Sequence, residues 1–143
     1  MSVPLYDTRI LRLAAESARW PRLAVSDSSI EKRTPVCGSR IVLDLAMAGE
    51  RVEAIGAALH ACALGQASAA LLLAHAPGRT CAELAAANAQ LAAWLGGEGP
   101  EPEWPGIDAL APALGYAARH PAILLPFAAT ADAAALAARK AAA

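Results

Sequence analysis

Aromatic side chains make up only 4% of the 143 residues: three tryptophans, two tyrosines and one phenylalanine. Stacking platforms for bases have almost nothing to be built from, and the 12 Lys and Arg are dispersed without a basic stripe among 13 Asp and Glu. Nucleic acid is therefore an unsuitable partner. Cysteine is scarce too, three in all, and the N-terminal region carries no apolar leader because Asp7, Arg9, Arg12 and Glu16 interrupt it. An odd cysteine count without a leader points to reduced thiols and a cytoplasmic address. Long apolar runs are missing as well. The richest windows, around Leu71 and Ile123, are cut by Gln66, His75, Pro121, Pro126 and Asp132. They fall short of the roughly 18–20 residues of a bilayer span, which excludes a membrane partner. Nor is there a P-loop, a G-x-G-x-x-G or a Ser–His–Asp arrangement, so neither a hydrolase nor a kinase is indicated.

What the chain does have is alanine, 40 residues against 41 larger apolar ones. The 57% hydrophobic content is thus the load of an ordinary globular domain, and residues 1–143 read as one domain able to bury its own core. Residues 4–19 carry Leu5, Ile10, Leu13 and Ala14 at helical spacing, whereas residues 20–35 mix Pro, Ser and Asp without period and are expected to form an exposed connector. In residues 40–47, Ile41, Leu43, Leu45 and Met47 alternate with Arg40, Val42, Asp44 and Ala46, the pattern of a half-buried strand. Gly49 and Glu50 turn the chain into a second strand over residues 51–61, with Val52, Ile55 and Leu59. The helix beginning at Cys62 is stopped by Pro77 and Gly78, and Thr80 with Glu83 forms a capping box for the next helix, residues 81–95. Residues 96–106 read as a loop and residues 107–116 as a short helix. A closing helix from Arg119 is expected to break early at Pro121 and Pro126 and to fray in its alanine-rich tail, residues 128–143.

Two cysteines stand out in this layout. Cys62 sits where a strand gives way to a helix, beside orphan N–H groups and the positive end of the helix dipole. That environment favours negative charge on sulfur, the form that binds metal or attacks another sulfur. The competing reading is a buried small hydrophobe. Cys37 stands just before the first strand, and antiparallel pairing should bring it to the same sheet edge as Cys62.

The wording around these positions resembles a known family. Cys37-Gly38-Ser39-Arg40 opens a strand, Cys62-Ala63-Leu64-Gly65-Gln66-Ala67-Ser68-Ala69 opens a helix, and Arg119-His120-Pro121-Ala122-Ile123-Leu124-Leu125-Pro126-Phe127 opens the closing helix. Together they are similar to the iron–sulfur cluster assembly scaffolds, IscU and the NifU N-terminal domain, and closest to the SufU branch. The resemblance implies an α+β fold, a small antiparallel sheet with a hairpin core and helices packed on one face. It also implies a site of three cysteines and an aspartate that binds zinc, iron or a nascent cluster, with a cysteine desulfurase and other iron–sulfur assembly proteins as partners. Cys37 matches the family's first cysteine and Cys62 the second, while Ser39 stands at the aspartate position and Ala122 at the third cysteine. His120 and His60 are candidate substitutes, against the plainer readings of a helix-start histidine and a strand histidine; Ser39 is a poor ligand. Cys81 and His75 lie off the motifs. Three functions stay open: a scaffold holding iron, zinc or a cluster at Cys37 and Cys62; a metal-independent persulfide acceptor at Cys62 or Cys37; and a non-catalytic adaptor. All three favour a scaffold or acceptor over an enzyme.

Overall fold

Alternation in residues 40–48 puts Ile41, Leu43 and Leu45 on one side of a strand, and all three are fully buried. The computed structural model describes residues 5–35 and 38–143. Its elements are α1 (Thr8–Glu16), β1 (Ser28–Arg33), β2 (Arg40–Ala48), β3 (Arg51–His60), α2 (Ala63–His75), α3 (Cys81–Leu95) and α4 (His120–Ala142), with short 3-10 turns at Ser17–Arg19, Ile107–Ala113 and Ala117–Arg119. Among the described residues the strands form one antiparallel sheet in the order β1-β2-β3. Gly49, at φ 63°, makes the β2–β3 turn in a backbone region that other residues rarely adopt. The fold is α+β, as expected, and α4 lies across β1 and β2 while also packing on α2 and α3.

The connector expected over residues 20–35 is half strand. β1 carries one apolar residue, Ile30, and so gives no alternating hydrophobic signal, yet its inward positions are occupied once α4 covers them. The Ser28 hydroxyl donates to the Ala133 carbonyl at 2.7 Å, and Lys32 reaches Asp132 at 2.8 Å. An edge strand needs little hydrophobicity when a helix supplies such partners.

The rest of the connector crosses the opposite face of the sheet. Gly56 permits this: a Cβ there would collide with the Pro21 carbonyl oxygen and stand 3.2 Å from the Leu23 nitrogen. The Trp20 carbonyl accepts from Ala57 N–H at 2.9 Å. Asp44, 1% exposed, then fastens the crossing segment: its carboxylate accepts from the Arg22 guanidinium twice at 3.0 Å, from Leu23 N–H at 3.0 Å and from the Ser29 hydroxyl at 2.7 Å.

The early break expected in the closing helix does not occur, and α4 runs unbroken through Pro126 to Ala142. Pro121 falls at the helix start, where a missing N–H costs nothing. Pro126 removes one intrahelical bond, but it is buried together with Ile123, Leu125 and Phe127. Ser68 adds a hydroxyl hydrogen bond to the Ile123 carbonyl at 2.6 Å. Tertiary burial outweighs the local penalty. The same reason extends the alanine tail, whose Ala129, Ala133, Ala134 and Ala137 are buried. The apolar length of this helix, 56% buried in its most hydrophobic window, belongs to the core.

Loop 96–106 is pinned by Trp104, which donates its indole N–H to the Leu71 carbonyl at 2.9 Å and meets Phe127 edge-on at 5.2 Å. The capping box is present as expected: the Thr80 hydroxyl accepts from Glu83 N–H, and the Glu83 carboxylate accepts from Thr80 N–H, both at 3.2 Å. Thr80→Ala is expected to lower unfolding stability by about 1 kcal/mol, read from the urea midpoint at unchanged slope.

Candidate functional site

Arg40 and His60 are register partners, so the start of β2 and the end of β3 meet at one edge of the sheet. β3 ends at His60, and two residues on Cys62 becomes the N-cap of α2, with φ −67° and ψ 170°. Its side chain makes no capping hydrogen bond, and the residue is half-buried. Its carbonyl takes the first intrahelical bond, from Gln66 N–H at 2.9 Å. The sulfur is thus placed beside a helix N-terminus without being consumed as its cap.

Ala122 comes to the same place from the other end of the sequence. A methyl at Gly65, in the first turn of α2, would sit 3.5 Å from the Ala122 Cβ and 3.2 Å from the Ala122 carbonyl oxygen. The hardest collision of that methyl, at 2.8 Å, would be with the Ala61 Cβ, so glycine is required here chiefly by the preceding turn, while α4 packs against it at close range. The position that the sequence resemblance gives to the third cysteine is therefore adjacent to the turn that Cys62 caps, and the residue there is 1% exposed and apolar.

Ser39 is 3% exposed, and its backbone forms a clamp with Thr34. Ser39 N–H donates to the Thr34 hydroxyl at 3.1 Å, and Thr34 N–H donates to the Ser39 carbonyl at 2.9 Å. This clamp closes the connection from β1 to β2. Cys37 falls in that connection by sequence and lies outside the described residues, as does its expected approach to Cys62.

His120 is half-buried, with Nε2 3.0 Å from the Ala113 carbonyl. A carbonyl only accepts, so Nε2 carries the proton and the lone pair of the neutral ring is on Nδ1. His60 is exposed at the sheet edge. Cys81 and His75 are elsewhere: Cys81 shares a surface groove with Met47, Gly49 and Glu50 at the hairpin turn, and His75 ends α2. Cys62 and the groove with Cys81 are separated by the ten-residue β3, about 30 Å of strand. Among the described residues no three His, Cys, Asp or Glu side chains gather around a point that could hold a metal.

Periodicity could not have flagged the basic character of this edge. Arg33, Arg40 and His60 line one concavity with Thr34, Pro35 and Gly38. Arg33 comes from the strand that the sequence did not reveal.

No protein-family model matches the chain, and no curated protein sequence matches it either. Solved structures do. A nitrogen-fixing NifU-like protein (N-terminal) from Brucella abortus has a TM-score of 0.88 at 34% identity, over 95% of this chain and 96% of that one. A putative iron–sulfur cluster assembly scaffold protein for the SUF system from Fervidobacterium islandicum AW-1 shares the fold, with a TM-score of 0.84 at 20% identity over 91% and 96% of the two chains. With a third of its residues identical to the Brucella protein over nearly their full lengths, the chain belongs to the iron–sulfur cluster assembly scaffold family of NifU N-terminal, IscU and SufU proteins.

Proposed function

We propose that this protein serves iron–sulfur cluster assembly as a sulfur acceptor, with Cys62 as the receiving thiol and a cysteine desulfurase as the donor. The observation that carries this reading is the uncapped Cys62 at the N-terminus of α2 with Ala122, not a third ligand, packed against the same turn. A closed tetrahedral metal set needs four donors. Persulfide transfer needs one accessible thiolate, and Cys62 is only half-buried with no capping hydrogen bond from its side chain. In the transfer, the Cys62 thiolate attacks the outer sulfur of the donor's cysteine persulfide. The donor's S–S bond breaks as a new one forms on Cys62, and the donor cysteine leaves as thiolate, so no external oxidant or reductant is needed.

Incubation with a cysteine desulfurase and free cysteine should add the mass of one sulfur atom to the Cys62 peptide. Cys62→Ser should abolish that increment, and Cys81→Ser should leave it unchanged. Transfer that persists in Cys62→Ser would sink the assignment.

A second reading keeps iron, zinc or a nascent cluster as cargo at Cys37 and Cys62, with His120, His60 or Ser39 helping or a partner completing the set. It draws on the Nδ1 lone pair of His120, one residue beyond the 3-10 turn that leads into α4. Metal and acid-labile sulfide analysis of anaerobically purified protein separates the two readings, because only the second predicts stoichiometric metal.

A further inference from the structure

Arg33 is the register partner of Arg40, and Arg40 is the register partner of His60. Directly opposed residues in antiparallel strands project from the same face. β2's alternation identifies that face: Ile41, Leu43 and Leu45 point to the buried side, so Arg40 points away from the helices. Three basic side chains on three adjacent strands thus form a row about 10 Å wide across the sheet. Like charges directly opposed are unfavourable, and Glu31 relieves them only in part. One Glu31 oxygen lies 3.1 Å from Arg33 and 3.8 Å from Arg40, so two guanidinium groups share a single carboxylate. The two arginine side chains are 66% and 52% exposed. The whole chain has a net charge of −1, so this excess is local.

The location gives the row its meaning. It borders the β1–β2 connection that contains Cys37 in sequence, and it ends on His60, two residues before Cys62. A single small anion would not span three strands, and the concavity they line is shallow enough to leave both arginine side chains more than half exposed. A protein segment with several carboxylates fits both the width and the openness. The geometry points to Arg33, Arg40 and His60 as the docking row for an acidic surface segment of the protein that delivers sulfur to Cys62. This rests on the sulfur-acceptor reading above. Electrostatic complementarity of this kind acts mainly on encounter, so its signature is a fast, salt-sensitive association rate.

The test measures association of the Cys62→Ser protein with the cysteine desulfurase of the same organism, by surface plasmon resonance at low and high salt. Binding is thereby read apart from chemistry. Arg33→Gln/Arg40→Gln should slow association about tenfold at low salt and flatten its salt dependence. Glu31→Gln, which frees both guanidinium groups, should speed association. This opposite sign guards against a variant that merely unfolds. Sulfur loading from inorganic polysulfide, which needs no docked protein, should be unchanged in Arg33→Gln/Arg40→Gln with Cys62 intact. If the wild type accepts desulfurase sulfur at Cys62 but neither set of substitutions alters association, the docking row is wrong. If association responds as described while no sulfur reaches Cys62, the row stands and the acceptor reading falls.

Discussion

Ala122→Cys is expected to raise zinc affinity about a hundredfold, and Ser39→Asp with Ala122→Cys to raise it further. Ala122 is buried beside the first turn of α2, where a methyl at Gly65 would touch its Cβ, so a thiol at this position would lie against the turn that Cys62 caps. A complete zinc site supplies roughly 10–16 kcal/mol over four donors, so one added thiolate is worth on the order of 3 kcal/mol, about a hundredfold in affinity. The second substitution carries its own diagnostic. Ser39 is 3% exposed, so a carboxylate there without metal is an uncompensated buried charge and should destabilise the apo protein. Zinc should then restore that stability, because a ligand that binds only the folded state adds to it. Competition with a chelator measures the affinities, and thermal unfolding with and without zinc measures the linkage. Equal zinc affinity in the wild type and the doubly substituted protein would mean that Ala122 and Ser39 do not occupy ligand positions, or that His120 or His60 already completes a set.

Asp44→Ala is expected to cost about 2–3 kcal/mol of folding stability, because the Leu23 N–H and the Ser29 hydroxyl lose hydrogen bonds to a charged acceptor. It should also loosen the segment that crosses the sheet at Gly56. Burial alone would push the Asp44 carboxyl upward, and this is the largest single influence on it. The hydrogen bonds from Arg22, Ser29 and Leu23, with the charge of Arg22, together outweigh burial and hold it below the ordinary aspartate value of 3.8. The folded-state pKa is therefore depressed relative to the unfolded chain. Its contribution to stability is present above the unfolded value and is lost as pH falls through the folded one. Asp44→Asn keeps much of the shape and removes this titration. Urea unfolding from neutral pH down to below about pH 4 should show the gap between wild type and Asp44→Asn narrowing with acid. A gap that stays constant would show that the carboxylate charge does not contribute.

Asp44 also shows why some of this architecture was hidden in the sequence. In the linear pattern it was one polar residue on the outward side of an alternating strand. Its burial is created by residues 20–23, which cross the sheet only because position 56 has no side chain. Ile30 alone could not announce β1, and Pro126 argued for a helix break that the surrounding core overrides. Trp104, in a stretch rich in glycine, proline and glutamate, gave no sign that it anchors its loop to Leu71.

The sequence by itself determined the β2–β3 hairpin, the helix beginning at Cys62, the capping box at Thr80 and the motifs that mark the family. Each of these is a short-range signal, written by side-chain alternation, backbone caps and turn residues within a few positions of one another. Only the tertiary structure decided that β1 joins the sheet, that α4 continues through Pro126, that Ala122 packs on the turn capped by Cys62, and that Arg33, Arg40 and His60 form one row. Those outcomes depend on burial and pairing between segments distant in the chain. Their free energy exists only when the partner element is in place, so no local pattern records it.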